Sequence, residues 1–460
     1  MAYTETTTTG YGTRVGRSFK GIASGFLLFV AGTVLLWWNE GRAVKTDKML
    51  NDAQKACVEM PNPEKIDPAL DGELVCGSAL VATDDVLTDQ DFGISENAIG
   101  LTRRVEYFQW VENAKEEKED KLGGKEVTTT TYTYSQEWVS SPVNSADFKD
   151  PAYQNKNYTW TQAENQDLYA ENVSFGAYKL TESLIHSISS KEAVELNLNP
   201  EQLQAWDKVI GETYARAKGL QTDVNNITTQ VNAADAAAIA DSAKTVVPDS
   251  ISQNNKIDLN YVHQMGNVLY YGRNASVPEV GDVRITFEKI VPAKVTVIAQ
   301  VTGDTFKAFK TSNGKKYQTL VMGKKDADEI FDAEHEANNM WLWVLRIIGT
   351  LVVIGGLKGI FGFVETILKV VPFLSSIFAF GVGLICTIVG IVWSLLIIAI
   401  AWLFYRPVLG ISLLVLAGFL IWVFAFNGKK KLAELANRGK AAPEVAPAAP
   451  AEAAPSAPAE

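Results

Sequence analysis

The 460-residue chain carries three histidines and three cysteines, and few of them stand near other groups with which they could do chemistry. His186, His263 and His335 occur in no H-E-x-x-H pattern, and neither a G-x-S-x-G nucleophile turn nor a Walker loop is present. Asp332, Glu334, His335 and Glu336 form one dense group of potential metal ligands. On a helix, Asp332 and Glu336 share a face with His335 beside it, an arrangement that could hold a metal ion weakly but reads better as a solvated acidic face. The glycines Gly10, Gly12 and Gly16 miss dinucleotide-binding spacing and follow no strand pattern. No enzymatic activity, cofactor or metal site is therefore expected.

Cys57 and Cys76 are two thiols that could pair if they face an oxidising compartment, while Cys386 lies in an apolar stretch. Asn157, Asn172, Asn226 and Asn274 each open an N-x-S/T sequon, a glycosylation signal in a secretory setting. Gly21-x-x-x-Gly25 and Gly355-x-x-x-Gly359 place small residues one helical turn apart, the spacing that lets two helices in lipid approach closely. Packing within one chain is the preferred use of these glycines. Arg346 could serve a permeation path, but an arginine snorkelling outward to the interface is the simpler reading.

Four apolar stretches must position these groups. Gly21 to Trp38 is just long enough to cross about 30 Å of hydrocarbon as a helix. Arg14, Arg17 and Lys20 precede it, and no small-x-small cleavage site follows, which predicts an uncleaved anchor. Residues 340–363 and 373–405 form the second and third spans, separated by an amphipathic segment at 364–372 expected to lie in the interface. Tyr405-Arg406-Pro407 breaks the helix before a fourth span at 407–426. Lys429, Lys430, Lys431, Arg438 and Lys440 follow and place the C-terminus in the cytosol. An even number of spans then puts residues 1–20 there too, as a disordered tail. Residues 427–460 are basic and then Ala/Pro-rich, without the apolar content to form a core.

Residues 39–339 are left as an extracytosolic domain with 30 Lys and Arg against 47 Asp and Glu, a net charge of −17. Such a surface repels phosphate backbones, so nucleic acid is excluded as a partner. Val127 to Val139, Val283 to Ile290 and Lys294 to Val301 read as strands, and Pro200 to Ala243 as helix, so the expected fold class is an α+β domain plus four transmembrane helices.

Several ordered blocks carry a resemblance. They are Asn39-Glu40-Gly41-Arg42 at the exit of the first span, Gln109-Trp110, Thr131 to Tyr134, Gly281-Asp282, and Tyr405-Arg406-Pro407 before the fourth span. Through them the chain resembles the LUMA (transmembrane protein 43) family across nearly its whole length. The resemblance implies a lumenal domain with both termini cytosolic. It also implies a scaffold that oligomerises and organises membrane-protein complexes, in the endoplasmic reticulum and inner nuclear membrane of a eukaryote or the plasma membrane of a bacterium. Expected partners are membrane lipids, further copies of the chain and other membrane proteins. A channel or transporter accessory subunit is the alternative.

Overall fold

The computed structural model describes residues 3–223, 260–368 and 372–412, together with Val415 and Phe419. Two very long helices frame it. Helix α1 spans Tyr11–Ala56, 46 residues, or about 69 Å at 1.5 Å per residue. Helix α4 spans Ala327–Leu368, 42 residues. Both exceed the hydrocarbon thickness about twofold, so each is part membrane span and part domain. Helix α5, Pro372–Tyr405, completes the apolar bundle. Among the described residues, three helices are long and apolar enough to cross a membrane: the N-terminal one and two C-terminal ones. Residues 407–412 resume helix after Arg406, but most of the expected fourth span lies outside the described residues.

Between α1 and α4 stands a mixed domain whose strands form two main sheets. In the first, the order is β1 (Tyr3–Thr9), β7 (Glu126–Val139), β6 (Gly100–Asp120), β14 (Val283–Ile290), β13 (Val268–Tyr271), β12 (Val262–Met265). In the second it is β19 (Thr319–Met322), β15 (Ala293–Thr302), β16 (Thr305–Lys307), β10 (Tyr178–Lys179), β9 (Val173–Phe175), β3 (Leu74–Thr83), β2 (Cys57–Glu59). The strands expected from alternation at 283–290 and 294–301 are β14 and β15, and consecutive residues on β14 point alternately into the core and away from it. Two small arms complete the strands, β4 (Val86–Asp89) with β5 (Ile94–Asn97) and β17 (Phe309–Lys310) with β18 (Lys316–Tyr317). Short strands β8 (Gln166–Tyr169) and β11 (Lys191–Ala193) edge the first sheet. The expected helical stretch at 200–243 supplies α3, Pro200–Asp223, its remainder lying outside the described residues, and the one-turn α2, Glu182–Ile185, precedes it.

Each sheet has its own core. Trp206, Ile210 and Tyr214 of α3 pack with Phe92, Leu101, Ile285 and Phe287 under the first, while Val81, Phe175, Tyr178, Val297 and Phe306 fill the second. A third core joins the domain to the membrane helices. Leu50 and Ala53 of α1 and Ile330 and Phe331 of α4 pack with Leu74, Cys76, Ile298 and Tyr317.

Three expectations need correction. Residues 364–368 are not a separate interfacial segment but continue α4. No proline or glycine falls between Val364 and Leu368, so nothing in that stretch stops the helix before Pro372. Residues 39–56 and 327–339, assigned to the domain, are helical extensions of the spans. Residues 3–9, assigned to a disordered tail, form β1 and pair antiparallel with β7 from Tyr3↔Tyr132 to Thr9↔Glu126. The threonine run that reads as low complexity is β-branched, and the edge of an equally Thr-rich strand gives it hydrogen-bond partners.

The β6–β7 hairpin is unusually long, with fourteen residues in register from Tyr107↔Val139 to Asp120↔Glu126. Gly123 and Gly124 turn it at positive φ, 82° and 76°. From Asn113 to Glu119 β6 is exposed, and the hairpin tip meets the start of α1. There Arg14, buried, bonds Asp120 at 2.7 Å and Glu126 at 3.2 Å and donates to the Gly124 carbonyl at 3.0 Å.

Candidate functional site at the membrane boundary

The residues of the resemblance separate into two clusters. At the exit of the first span, Glu40 is 1 % exposed and Arg346 of α4 is 9 % exposed. The guanidinium grips the carboxylate with two bonds, Nε to Oε1 at 2.6 Å and Nη2 to Oε2 at 2.9 Å. Trp402 of α5 adds a third, its indole N–H donating to Glu40 Oε2 at 2.8 Å. The guanidinium also lies over the Trp343 ring at 4.8 Å and the Trp402 ring at 5.5 Å. One carboxylate therefore ties together all three described membrane helices. A charge here is tolerated only because a paired, bidentate partner and a further donor replace the water it has lost. Arg346 thus turns inward to its partner and does not snorkel to the interface as expected.

Neighbouring residues extend the junction on both sides. Asn39, fully buried, donates to the Leu342 carbonyl at 2.9 Å, and Asn338 donates to the Ala43 carbonyl at 3.1 Å. The Arg42 guanidinium bonds the side-chain oxygens of Asn39 and Asn338. At Gly41 an added Cβ would sit 2.6 Å from the Tyr405 ring, so the missing side chain lets that ring lie directly against α1. Trp37 packs edge-on to Phe404 and Tyr405, with ring centroids 5.0 and 5.8 Å away. The backbone N–H of Arg406 closes the last turn on the Trp402 carbonyl, and Pro407 stands exposed beyond it.

Deeper in the bundle α1 and α4 touch through glycine. A Cβ on Gly25 would lie 2.6 Å from the Ile360 nitrogen, one on Gly356 2.4 Å from the Phe29 nitrogen, and one on Gly359 2.9 Å from the Gly25 Cα. Gly32 and Gly349 continue the seam against Val353 and Leu36. Of the two expected glycine pairs, Gly25 and Gly359 pack within the chain, whereas Gly21 and Gly355 have open space where a side chain would go. Gly32, Gly349 and Gly356 escaped notice because the seam follows helix geometry on two elements more than 300 residues apart.

Gln109, Trp110, Gly281 and Asp282 lie away from the membrane, on the first sheet. Asp282 is fully buried and accepts from the Trp160 indole at 3.0 Å, the Tyr270 hydroxyl at 2.5 Å and the Glu279 backbone N–H at 2.8 Å. Burial pushes its carboxyl above the usual aspartate range, against the pull of these hydrogen bonds. Gly281, at φ +102°, faces the Tyr158 ring and donates its backbone N–H to the Phe108 carbonyl, while the Phe108 N–H donates to the Asp282 carbonyl. Gln109 accepts from the Val143 N–H at 2.6 Å, and the Trp110 backbone is clasped by Asn157. With every polar atom of Asp282 engaged, this cluster organises the loop over β6.

The other candidates fall as follows. Cys57 and Cys76 are free thiols on the neighbouring strands β2 and β3 where α1 enters the second sheet, and the neighbouring Cys76 thiol, with burial, raises the Cys57 thiol. His335 faces Asp47 of α1 at 3.0 Å while Asp332 and Glu336 point to solvent, so the acidic group does not converge. The Asn157 amide donates to the Trp110 and Val143 carbonyls and the Asn172 amide to Asp85, whereas Asn274 is exposed. Asn226 lies outside the described residues.

Residues 107–407 match the family model described as Transmembrane protein 43, from Tyr107 on β6 to Pro407 after α5. Transmembrane protein 43 of Mus musculus is 27% identical over 408 residues, covering 86% of this chain and 88% of that one. The Homo sapiens protein is 26% identical over 408 residues with the same coverage, and the Drosophila melanogaster homolog is 25% identical over 403, covering 86% and 91%. No solved structure matches. With the match running from β6 to Pro407 and taking in Asp282, Arg346 and Trp402, this integral membrane chain belongs to the transmembrane protein 43 family.

Proposed function

We propose that the chain is a membrane scaffold: a rigid helical mast that self-associates in the bilayer and holds a β-rich recruiting domain at a fixed height. The carrying observation is that α1 and α4 run unbroken from the lipid-spanning glycine seam, through the Glu40–Arg346–Trp402 junction, into the core shared with Leu74, Ile298 and Tyr317. Such a mast transmits position and orientation from membrane to domain without a hinge. Among the described residues nothing packs beside Gly355, Gly381 and Gly383, which leaves them to meet a second copy, whereas Gly25, Gly356 and Gly359 are consumed inside the chain.

Native mass spectrometry of the full chain released from lipid nanodiscs tests this. The expected result is a defined oligomer that dissociates when Gly355→Leu and Gly383→Leu are combined, with the melting temperature retained. A monomer in native lipid, or an oligomer indifferent to both changes, would overturn self-association through the bundle.

A further inference from the structure

We propose that Arg42, Lys45 and Lys315 form a binding site for the phosphate of an anionic phospholipid headgroup. Arg42 and Lys45 share a face of α1 at i and i+3. Lys315 is brought to them by the tip of the β17–β18 arm, which docks on α1 at two points. The Asn313 amide donates to the Lys45 carbonyl at 2.7 Å, and the Ser312 backbone N–H donates to Asp52 at 3.2 Å. The tip itself is braced by Asn313 Oδ1, which accepts from the Lys315 N–H at 3.1 Å and the Thr311 hydroxyl at 2.8 Å. So positioned, the Lys315 ammonium reaches the Thr46 hydroxyl at 2.8 Å, beside Lys45 and one turn beyond Arg42.

The acceptors these cations use are all neutral. Arg42 bonds amide oxygens of Asn39 and Asn338, and Lys315 bonds a hydroxyl. Among the described residues no carboxylate lies in ion-pair range of Arg42, Lys45 or Lys315. The acids nearby are committed elsewhere: Glu40 to Arg346, Asp47 to His335 and Asp52 to Ser312. Burial lowers the proton affinity of Arg42, and burial together with the charges of Arg42 and Lys45 lowers that of Lys315. Arg42 and Lys315, partly desolvated, stand beside the exposed Lys45 with no carboxylate in ion-pair range among the described residues, an unbalanced site. A phosphate oxygen supplies the missing charge, and the Arg42 fork and two ammonium groups supply its donors.

Location selects a lipid over a free anion. Arg42 lies one turn beyond Trp38, which is 54 % exposed, and Trp341 and Trp343 on α4 are 52 % and 57 % exposed. Exposed tryptophans mark the edge of the hydrocarbon, and one helical turn above it, about 5.4 Å, is the level of the phosphates. The site needs α1 to span a bilayer; it does not need copies of the chain to associate.

The test is native mass spectrometry of the full chain in neutral detergent, titrated with phosphatidylglycerol, phosphatidylcholine or inorganic phosphate. Phosphatidylglycerol should bind at least tenfold more tightly than phosphatidylcholine. Lys45→Ala combined with Lys315→Ala should weaken it at least fivefold, with Arg42 left in place to hold Asn39 and Asn338. Lys315→Arg should retain binding, and Lys307→Ala, an exposed lysine on β16, should change nothing. Equal binding of the two lipids, or unchanged affinity in the double variant at an unchanged melting temperature, would overturn the site. Displacement of the lipid by equimolar inorganic phosphate would overturn the lipid as its occupant. Loss of oligomers with lipid binding intact would count against the scaffold alone.

Discussion

Glu40 and Arg346 each make the other tolerable, and removing one leaves a buried charge with no counterpart. Glu40→Met or Arg346→Met should each cost about 3–5 kcal/mol, and the double variant clearly less than their sum. Thermal melts of the four proteins in one detergent measure the coupling; strict additivity would mean that the pair is not a unit. Asp282 gives the opposite lesson, a buried carboxylate with donors but no cation. Its folded pKa is raised above the ordinary value of 3.8. The folded state therefore holds the proton more tightly, and stability from this group is full below the ordinary pKa and is lost as pH rises through the raised one. Asp282→Asn should flatten this part of the stability profile above pH 4. It should also lower stability throughout by about 1–3 kcal/mol, because an amide has one oxygen for donors that now use two.

Helix α1 owes its place to absent side chains more than to present ones. Gly25→Leu would drive a side chain into the backbone of α4 at Ile360 and should cost about 1–3 kcal/mol or more, while Gly21→Leu, with open space beside it, should be nearly neutral. Melting of the two variants distinguishes the seam from a mere abundance of membrane glycine. Two equal effects would refute it. The hairpin shows the same dependence on a partner. All six residues from Lys115 to Asp120 are charged, yet the segment is strand because β7 offers a β-branched ladder opposite and Gly123-Gly124 supplies the turn.

At the scale of the molecule, the hairpin tip and β1 reach the N-terminal end of α1. From Arg14 to Glu40 α1 rises about 39 Å, and from Phe108 to Asp120 β6 covers about 40 Å, so the hairpin runs as far as the apolar part of the helix. Residues 3–9 and the hairpin tip are paired strand to strand, so they lie on the same side of the bilayer. An impermeant maleimide should label Thr6→Cys and Leu122→Cys from the same side of sealed vesicles, against the background of the unsubstituted chain. Labelling from opposite sides would show that β1 leaves β7 in the membrane.

Three of the spans, the strands at 283–290 and 294–301 and the helix that starts at Pro200 were legible in the sequence because hydrophobic period and turn residues are local signals. Asn39 to Arg42, Gln109, Trp110, Gly281 and Asp282 stood out as blocks of a resemblance, whereas their partners Arg346, Asn338, Trp160 and Tyr270 did not. Their roles were not legible, since an ion pair between residues 306 positions apart leaves no periodic trace, and an arginine near the end of a span looks the same whether it snorkels or turns inward. The N-terminal strand escaped for a related reason: a Thr-rich segment has no structure until an edge accepts it, and that edge is formed by residues more than 115 positions later. Local composition determined which segments cross lipid and which build a domain. Only the tertiary structure, by bringing Glu40, Arg346 and Trp402 to one point, decided that membrane and domain are a single body.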